Sequence, residues 1–166
     1  MKNASFILLF FLITACVDEN KSSHTSGDHD LTAKVIYLKD GDSFVVLDDD
    51  KEEVEVRMIN MDAPELYQAH GKKAKQYLSK MIKGKKVGID FEKKDRYGRI
   101  LGEVYLGKQF INLEMVKGGY AWNFDRFSLD EDIMHAEDSA REVRVGLWKD
   151  KNPEAPWNWR KNHRRR

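Results

Sequence analysis

Five short β-like runs, interrupted once by a helical stretch, most restrict what this chain can fold into. Leu31 to Leu38, Phe44 to Leu47 and Val54 to Met61 are rich in Val, Ile and aromatic residues. Asp40-Gly41 and Asp48-Asp49-Asp50-Lys51 between them are turn signals, so the three runs read as a meander. From Gly71 to Ile82 the period changes: Ala74, Leu78, Met81 and Ile82 recur at helical spacing, and Gly84 ends them. Lys86 to Phe91 and Ile100 to Leu106 are two further strands, joined through Asp95-Arg96-Tyr97-Gly98-Arg99. Ile111 to Val116 reads as a short helix closed by Gly118 and Gly119. Ser128 with Glu131 forms a capping box for a last helix, with Ile133, Ala136, Ala140 and Val143 on one stripe and Gly146 at its end. Spacing alone gives α+β with a small β-barrel. The order of elements fits a five-stranded OB-fold β-barrel with about three helices.

A chain of 166 residues buries a core without disulfides or a structural metal. Its one cysteine excludes a disulfide framework and a thiolate zinc site. The net charge of +1 conceals an asymmetry. Residues 17–65 carry 14 acids against 5 bases, and residues 66–166 carry 14 acids against 23 bases. The first part suits a cation and the second an anion.

The N-terminus reads as an export signal. Lys2 precedes an apolar run from Phe6 to Ile13, too short to span a bilayer as a mature helix. The run leads into Leu12-Ile13-Thr14-Ala15-Cys16, which resembles a bacterial lipobox, with Cys16 as the lipidated residue. The competing reading is an ordinary signal peptide with an incidental cysteine. The expected division is a lipoprotein signal peptide at 1–15, a flexible tether at 16–30, the folded domain at 31–160 and a basic tail at 161–166. The protein is then an exported, membrane-anchored lipoprotein of the cell surface or periplasm, held by several acyl chains on Cys16. His24, Asp28, His29 and Asp30 are ligand types, but within a polar tether nothing rigid holds them, so they read as solvated linker.

Three segments carry chemistry. In Asp40-Gly41-Asp42-Ser43, two carboxylates beside a glycine either present oxygens to a hard cation or form a plain hairpin turn. An EF-hand is excluded, because the loop position that must be glycine is Val45 or Glu53. In Arg57-Met58-Ile59-Asn60-Met61-Asp62-Ala63-Pro64-Glu65, charged residues flank the end of an apolar strand, and Pro64 gives Glu65 a defined direction. Phosphodiester hydrolysis needs a base to align water, a cation on the phosphate and positive donors for the developing charge. Glu65, Asp62 and Arg57 are the right types; a surface ion pair is the plainer reading. In Asp95-Arg96-Tyr97-Gly98-Arg99, two arginines and a tyrosine can clamp a phosphate and stack a base, or simply form a charged hairpin.

Taken in order, these three segments resemble the thermonucleases, the staphylococcal nuclease-like family. The likeness continues through Gly119-Tyr120-Ala121-Trp122, Ala136-Glu137, Ala140-Arg141, Gly146-Leu147-Trp148 and Pro156-Trp157-Asn158-Trp159-Arg160, and covers roughly residues 31–160. It implies an OB-fold and a Ca²⁺-dependent endonuclease acting on DNA and RNA, largely without sequence preference. The implied products carry a 5′-hydroxyl and a 3′-phosphate. By position, Asp42 and Asp62 would ligate Ca²⁺ through carboxylates and Ala63 through its carbonyl, with Asp40 supporting the metal from behind. Glu65 would be the general base; Arg57 and Arg99 would hold the phosphate. Arg96 and Tyr97 would touch a neighbouring phosphate, and Phe124 and Phe127 stand where some relatives place tyrosines against the base. Ser43 replaces the usual threonine and keeps its hydroxyl.

Elsewhere structure is the expected role. Trp122, Trp148, Trp157 and Trp159 read as packing residues rather than base platforms. Lys72, Lys73 and Lys75 read as a solvated helix face, Arg160, Lys161 and Arg164 to Arg166 as a basic tail, and His135 as without a catalytic role. The functional expectation is a monomeric, lipid-anchored, calcium-dependent nuclease. The alternative is a non-catalytic OB-fold lipoprotein that only binds nucleic acid; a structural surface lipoprotein whose acidic turns merely bind cation is a third reading. Arg57, Glu65 and Arg99 argue against the alternative, because binding alone does not need that set.

Overall fold

The structure, a computed structural model, describes residues 29–124 and 130–163. Strands β1 (Leu31–Leu38), β2 (Ser43–Leu47) and β3 (Glu53–Met58) form the expected antiparallel meander. The run expected as one strand to Met61 breaks. Asn60 takes a left-handed φ of 60°, and Met61–Asp62 becomes a separate short strand, β4. Asparagine tolerates that conformation, while the continuing apolar residues Ile59 and Met61 hide the break in the sequence. Helix α1 (Gly71–Ile82) follows, burying Ala74, Leu78 and Ile82.

Strands β5 (Lys86–Lys94) and β6 (Ile100–Leu106) pair antiparallel with each other, and β5 pairs with β1. A parallel pairing of β3 with β6, Val56 opposite Ile100 and Arg57 opposite Leu101, closes the five strands into a barrel. Irregularities between Val35 and Tyr37 and between Phe91 and Lys93 supply the local bending that closure needs. The short β7 (Gln109–Phe110) extends the edge of β6 and runs into α2 (Ile111–Lys117). Then β8 (Trp122–Asn123) pairs with β4, and α3 (Glu131–Glu142), a 3-10 turn at Gly146–Lys149 and α4 (Pro156–Asn162) follow. Four α-helices are thus present among the described residues, one more than expected.

The core follows the alternation of the strands. Val35, Phe44, Val46, Val56, Ile89 and Val104 point inward and are fully buried, capped by Leu78, Ile111, Met115 and Ile133 from the helices. Each such side chain contributes roughly 1.5–3 kcal/mol on burial. Asn112, also fully buried, stitches α2 to the barrel: its Oδ1 accepts from the Val104 N–H at 2.9 Å and its Nδ2 donates to the Ile59 carbonyl at 2.9 Å. A second, smaller core of Trp122, Ala140, Leu147, Trp148 and Ala155 joins the C-terminal segments to β8.

Three local expectations change. The helix α3 is capped by Asp130, whose Oδ1 accepts from the Ile133 N–H at 3.1 Å; Ser128 lies outside the described residues. Val143 falls past the helix end and is exposed, while Ile133, Ala136 and Ala140 are buried as expected. His29 and Asp30, read as tether, sit on the barrel: His29 contacts Asp90 at 2.9 Å and stacks on Tyr105, and Asp30 accepts from the Phe91 N–H. Among the described residues no helix is long and apolar enough to cross a membrane.

Candidate active site

Two of the three motif segments, Asp40-Gly41-Asp42-Ser43 and the stretch from Arg57 to Glu65, meet at one end of the barrel, and the third leads into β6, which pairs with β3. Asp40 begins a tight turn, its Oδ1 accepting from the N–H groups of Asp42 and Ser43 at 3.0 and 2.8 Å. This holds Asp42 beside Arg57, because Ser43 and Arg57 are register partners across β2 and β3. A Cβ at Gly41 would come within 2.7 Å of the Ala74 Cβ and 2.8 Å of the Ala63 Cβ, so the turn lies directly on α1 and on the segment that bears Asp62. The bend at Asn60 turns that segment off the barrel. Its pairing with β8, Asp62 opposite Trp122, buries Asp62 completely.

One guanidinium joins the two carboxylates. Arg57 donates from Nη1 to Asp42 and from Nη2 to Asp62 Oδ1 at 2.7 Å. Asp42, 1% exposed, also accepts from the Ala63 N–H at 2.8 Å and from the Ser43 hydroxyl at 3.0 Å. Burial pushes the Asp42 carboxyl well above the usual carboxylate range, against the pull of Arg57. For Arg57, burial works to lower the pKa, but Asp42 and Asp62 outweigh it and the guanidinium is held above its ordinary value. A buried carboxylate in such surroundings is stabilised by adjacent positive charge.

Glu65 stands half-exposed at the rim. Its loop is fixed from both sides: the Glu65 N–H donates to Gln68 Oε1, the Gln68 N–H returns to the Glu65 carbonyl at 2.8 Å, and Gln68 Nε2 reaches the Glu154 carbonyl. Helix α1 starts immediately against this loop. A Cβ at Gly71 would lie 1.8 Å from the Glu65 carbonyl oxygen, a distance only glycine permits.

The residue that sequence reasoning missed is Arg160. Expected in a basic tail, it lies on α4 and reaches back into the site. Its Nη2 donates to Asp62 Oδ2 at 2.7 Å, and its Nη1 to Asp62 Oδ1 at 3.1 Å and Glu65 Oε1 at 2.8 Å. Hydrogen bonding to Asp62, then to Glu65, raises the Arg160 pKa above its ordinary value although burial opposes it. The sequence signals were the family likeness running through Pro156-Trp157-Asn158-Trp159-Arg160 and, within it, Pro156, a residue suited to the first turn of a helix, four residues before Arg160.

Arg99 and its neighbours are placed beside this cluster rather than in it. The β3–β6 register sets Arg99 on the same outer face as Arg57, but its side chain is paired with Asp95, Nε to Oδ2 at 2.8 Å. Asp95 also accepts from the Tyr97 and Arg99 N–H groups and so shapes the loop. Partial desolvation acts to raise the Asp95 pKa, but these hydrogen bonds outweigh it and the net shift is downward. Tyr97 is exposed, with the Arg96 guanidinium over its ring at 4.8 Å and bonded to its hydroxyl. Phe124 lies 5.5 Å from the Trp157 ring and lines a groove with Glu65 and Arg160. Phe127 and Cys16 fall outside the described residues. Trp122 and Trp148 are packing residues as expected, in edge contact at 4.5 Å, whereas Trp157 is 36% exposed and Trp159 partly so.

The oxygen donors match a hard cation in type: two buried carboxylates and the adjacent Ala63 backbone. Asp42 Oδ2 and Asp62 Oδ2 each accept a single N–H, which leaves lone pairs free on both. No cluster of three or more His, Cys, Asp and Glu side chains that could hold a metal is present among the described residues. Water and substrate oxygens would therefore have to complete the six to eight ligands that Ca²⁺ takes.

A closed five-stranded barrel with acidic and guanidinium groups converging at one end is an OB-type fold carrying a charged site. Residues 55–150 match the sequence model of the family described as "Staphylococcal nuclease homologue", and the chain belongs to that family. It is 38% identical over 160 residues to an "Uncharacterized endonuclease" of Haemophilus influenzae, covering 96% of this chain and 84% of the relative. An "Uncharacterized endonuclease" of Escherichia coli is 36% identical over 132 residues, 79% of this chain and 86% of the relative. "Staphylococcal-like nuclease CAN1" of Arabidopsis thaliana is 39% identical over 109 residues, 66% of this chain but 34% of the longer plant protein.

Proposed function

We propose that this nuclease is a calcium-dependent endonuclease that hydrolyses phosphodiester bonds of DNA and RNA to 3′-phosphate products. We further propose that it acts as a monomer anchored by lipid outside the cytoplasm. The observation that carries the catalytic reading is the chain of ion pairs Asp42–Arg57–Asp62–Arg160–Glu65. It gathers a rim carboxylate, two buried carboxylates and two guanidiniums at one barrel end. In the reaction Glu65 takes a proton from water as the water oxygen bonds to phosphorus. The bond from phosphorus to the 5′ oxygen breaks, and that oxygen leaves with a proton from solvent. Arg57 and Arg99 donate to the phosphate oxygens as their charge grows, Arg99 exchanging Asp95 for the substrate. Arg96 and Tyr97 meet the neighbouring phosphate and base. Asp42, Asp62 and the Ala63 carbonyl would hold Ca²⁺, with Asp40 fixing Asp42 from behind. When bound, that ion supplies Lewis-acid polarisation of a phosphoryl oxygen.

Labelled single-stranded DNA, duplex DNA and RNA should all be cut in Ca²⁺ and remain intact in chelator. The fragments should need removal of a 3′-phosphate before a polymerase can extend them. Asp42→Ala and Asp62→Ala should lose the calcium-supported cleavage. Cutting that persists undiminished in chelator removes calcium from the reading, and tight binding with no cutting favours the non-catalytic binding module.

The anchor reading rests on Leu12-Ile13-Thr14-Ala15-Cys16 following the apolar run from Phe6 to Ile13. Expressed in bacteria, the wild-type chain should incorporate a fatty-acid probe, and Cys16→Ser should not. A wild-type chain that takes up no probe refutes the lipobox.

A further inference from the structure

The family match ends at residue 150, yet α4, beginning at Pro156, forms one wall of the site. Between Glu65 and this helix lies a groove of about 650 Å³ lined by Glu65, Phe124, Trp157, Trp159, Arg160 and Lys161, among others. Trp157 also lines a second groove of about 410 Å³ next to it, with Asn123 and Arg141. Its ring therefore stands between two adjoining hollows. It rests edge-on against Trp122 at 5.6 Å and tilted against Phe124 at 5.5 Å, so its position is fixed while 36% of the residue stays in contact with solvent. A packing tryptophan is usually covered; one braced by two other aromatics and left open is a surface on which a flat ring can stack.

The charge around it selects the ring's class. Arg160 and Lys161 line the first groove with Glu65, which is paired with Arg160, and Arg141 lines the second with its own partner Glu137 at 3.3 Å, so Lys161 is the cation that no acid lining either groove pairs with among the described residues. A partly exposed, braced aromatic ring beside a lysine suits a planar base attached to phosphate, and single-stranded nucleic acid is bound by that combination. A neutral aromatic ligand would make no use of Lys161.

We propose that α4 is a substrate-holding element, with Trp157 as the stacking face for one base of a single strand next to the scissile phosphate and Arg160 beside it on the phosphate side. This rests on the nuclease reading above and adds to it a seat for one nucleotide. A stacked base also explains why α4 is held by pairing with the site itself: Arg160 ties the platform to Asp62 and Glu65, so the base and the scissile phosphate are positioned by one rigid unit.

The test uses the full chain in chelator, so that binding is read without cleavage, and a set of short single-stranded oligodeoxynucleotides in which each base in turn is replaced by an abasic site. Wild type should lose affinity by about 10-fold at one position, the scale of a single base–aromatic stack. Trp157→Ala should bind the intact strand about that much more weakly and be indifferent to the abasic site at that position. Trp157→Phe should recover most of the loss. In Ca²⁺ the effect should fall on KM more than on kcat. A wild type insensitive to every abasic position overturns the platform without any variant being needed, and so does a Trp157→Ala protein as sensitive as wild type. A wild type that neither binds nor cuts the intact strands overturns the nuclease reading as well, which separates the two failures.

Discussion

Glu65→Gln is expected to lower single-turnover cleavage by about 10²–10⁴-fold, the usual contribution of a positioned carboxylate base. The substitution keeps the shape of the side chain and its acceptor oxygen for Arg160, which is 2.8 Å away in the wild type, so the Glu65 loop and α4 should stay in place. The backbone hydrogen bonds with Gln68 are untouched by it. What is lost is the ability to take a proton from water. Oligonucleotide affinity should therefore change little beside the loss of turnover, and circular dichroism should match wild type. A folded Glu65→Gln protein that cuts at near the wild-type rate would assign the base elsewhere.

Arg57→Lys should be nearly as damaging, for a different reason. Arg57 uses both terminal nitrogens at once, one toward Asp42 and one toward Asp62, both buried. A lysine keeps the charge but has one point donor on a flexible stem and cannot reproduce the planar fork. One of the two carboxylates is then left short of a partner in a place where burial already penalises its charge. The expected result is a loss of about 10²–10³-fold in cleavage, the scale of removing one donor to the transition-state charge. A clear drop in oligonucleotide affinity and a lower melting temperature should accompany it. Equal affinity for wild type and Arg57→Lys would show that Arg57 serves only to hold the two aspartates.

The sequence carried the barrel because its strands alternate cleanly. The run from Leu31 to Leu38 begins and ends where expected, and inward Val35, Val46 and Val104 are the residues that period two selects. It carried the carboxylates and Arg57 because they sit at strand ends and in a turn, where local chemistry is legible. It did not show that β4 leaves the barrel. That depends on a left-handed Asn60 and on pairing with Trp122, a contact across 60 residues that no local period encodes. Arg160 was hidden for the same reason: within its own segment it is one of several basic residues, and only the docking of α4 through Trp157, Ala155 and Gln68 brings it to Asp62. The exposure of Trp157 was not legible because burial is the ordinary fate of tryptophan, and composition cannot distinguish a braced, partly exposed ring from a covered one.

Asp62 draws its two guanidinium partners from places far apart in the chain, Arg57 five residues before it and Arg160 98 residues after it. During synthesis the barrel strands are all made before α4, so the chain passes through a stage in which a barrel can close while Asp62 has only one of its partners. The site is finished last, by a contact that also anchors the wall beside it. A chain clipped between the 3-10 turn and α4 would lose Arg160 from buried Asp62 and Ala155 from the second core together, so damage at that one junction should be registered in activity and in melting temperature alike.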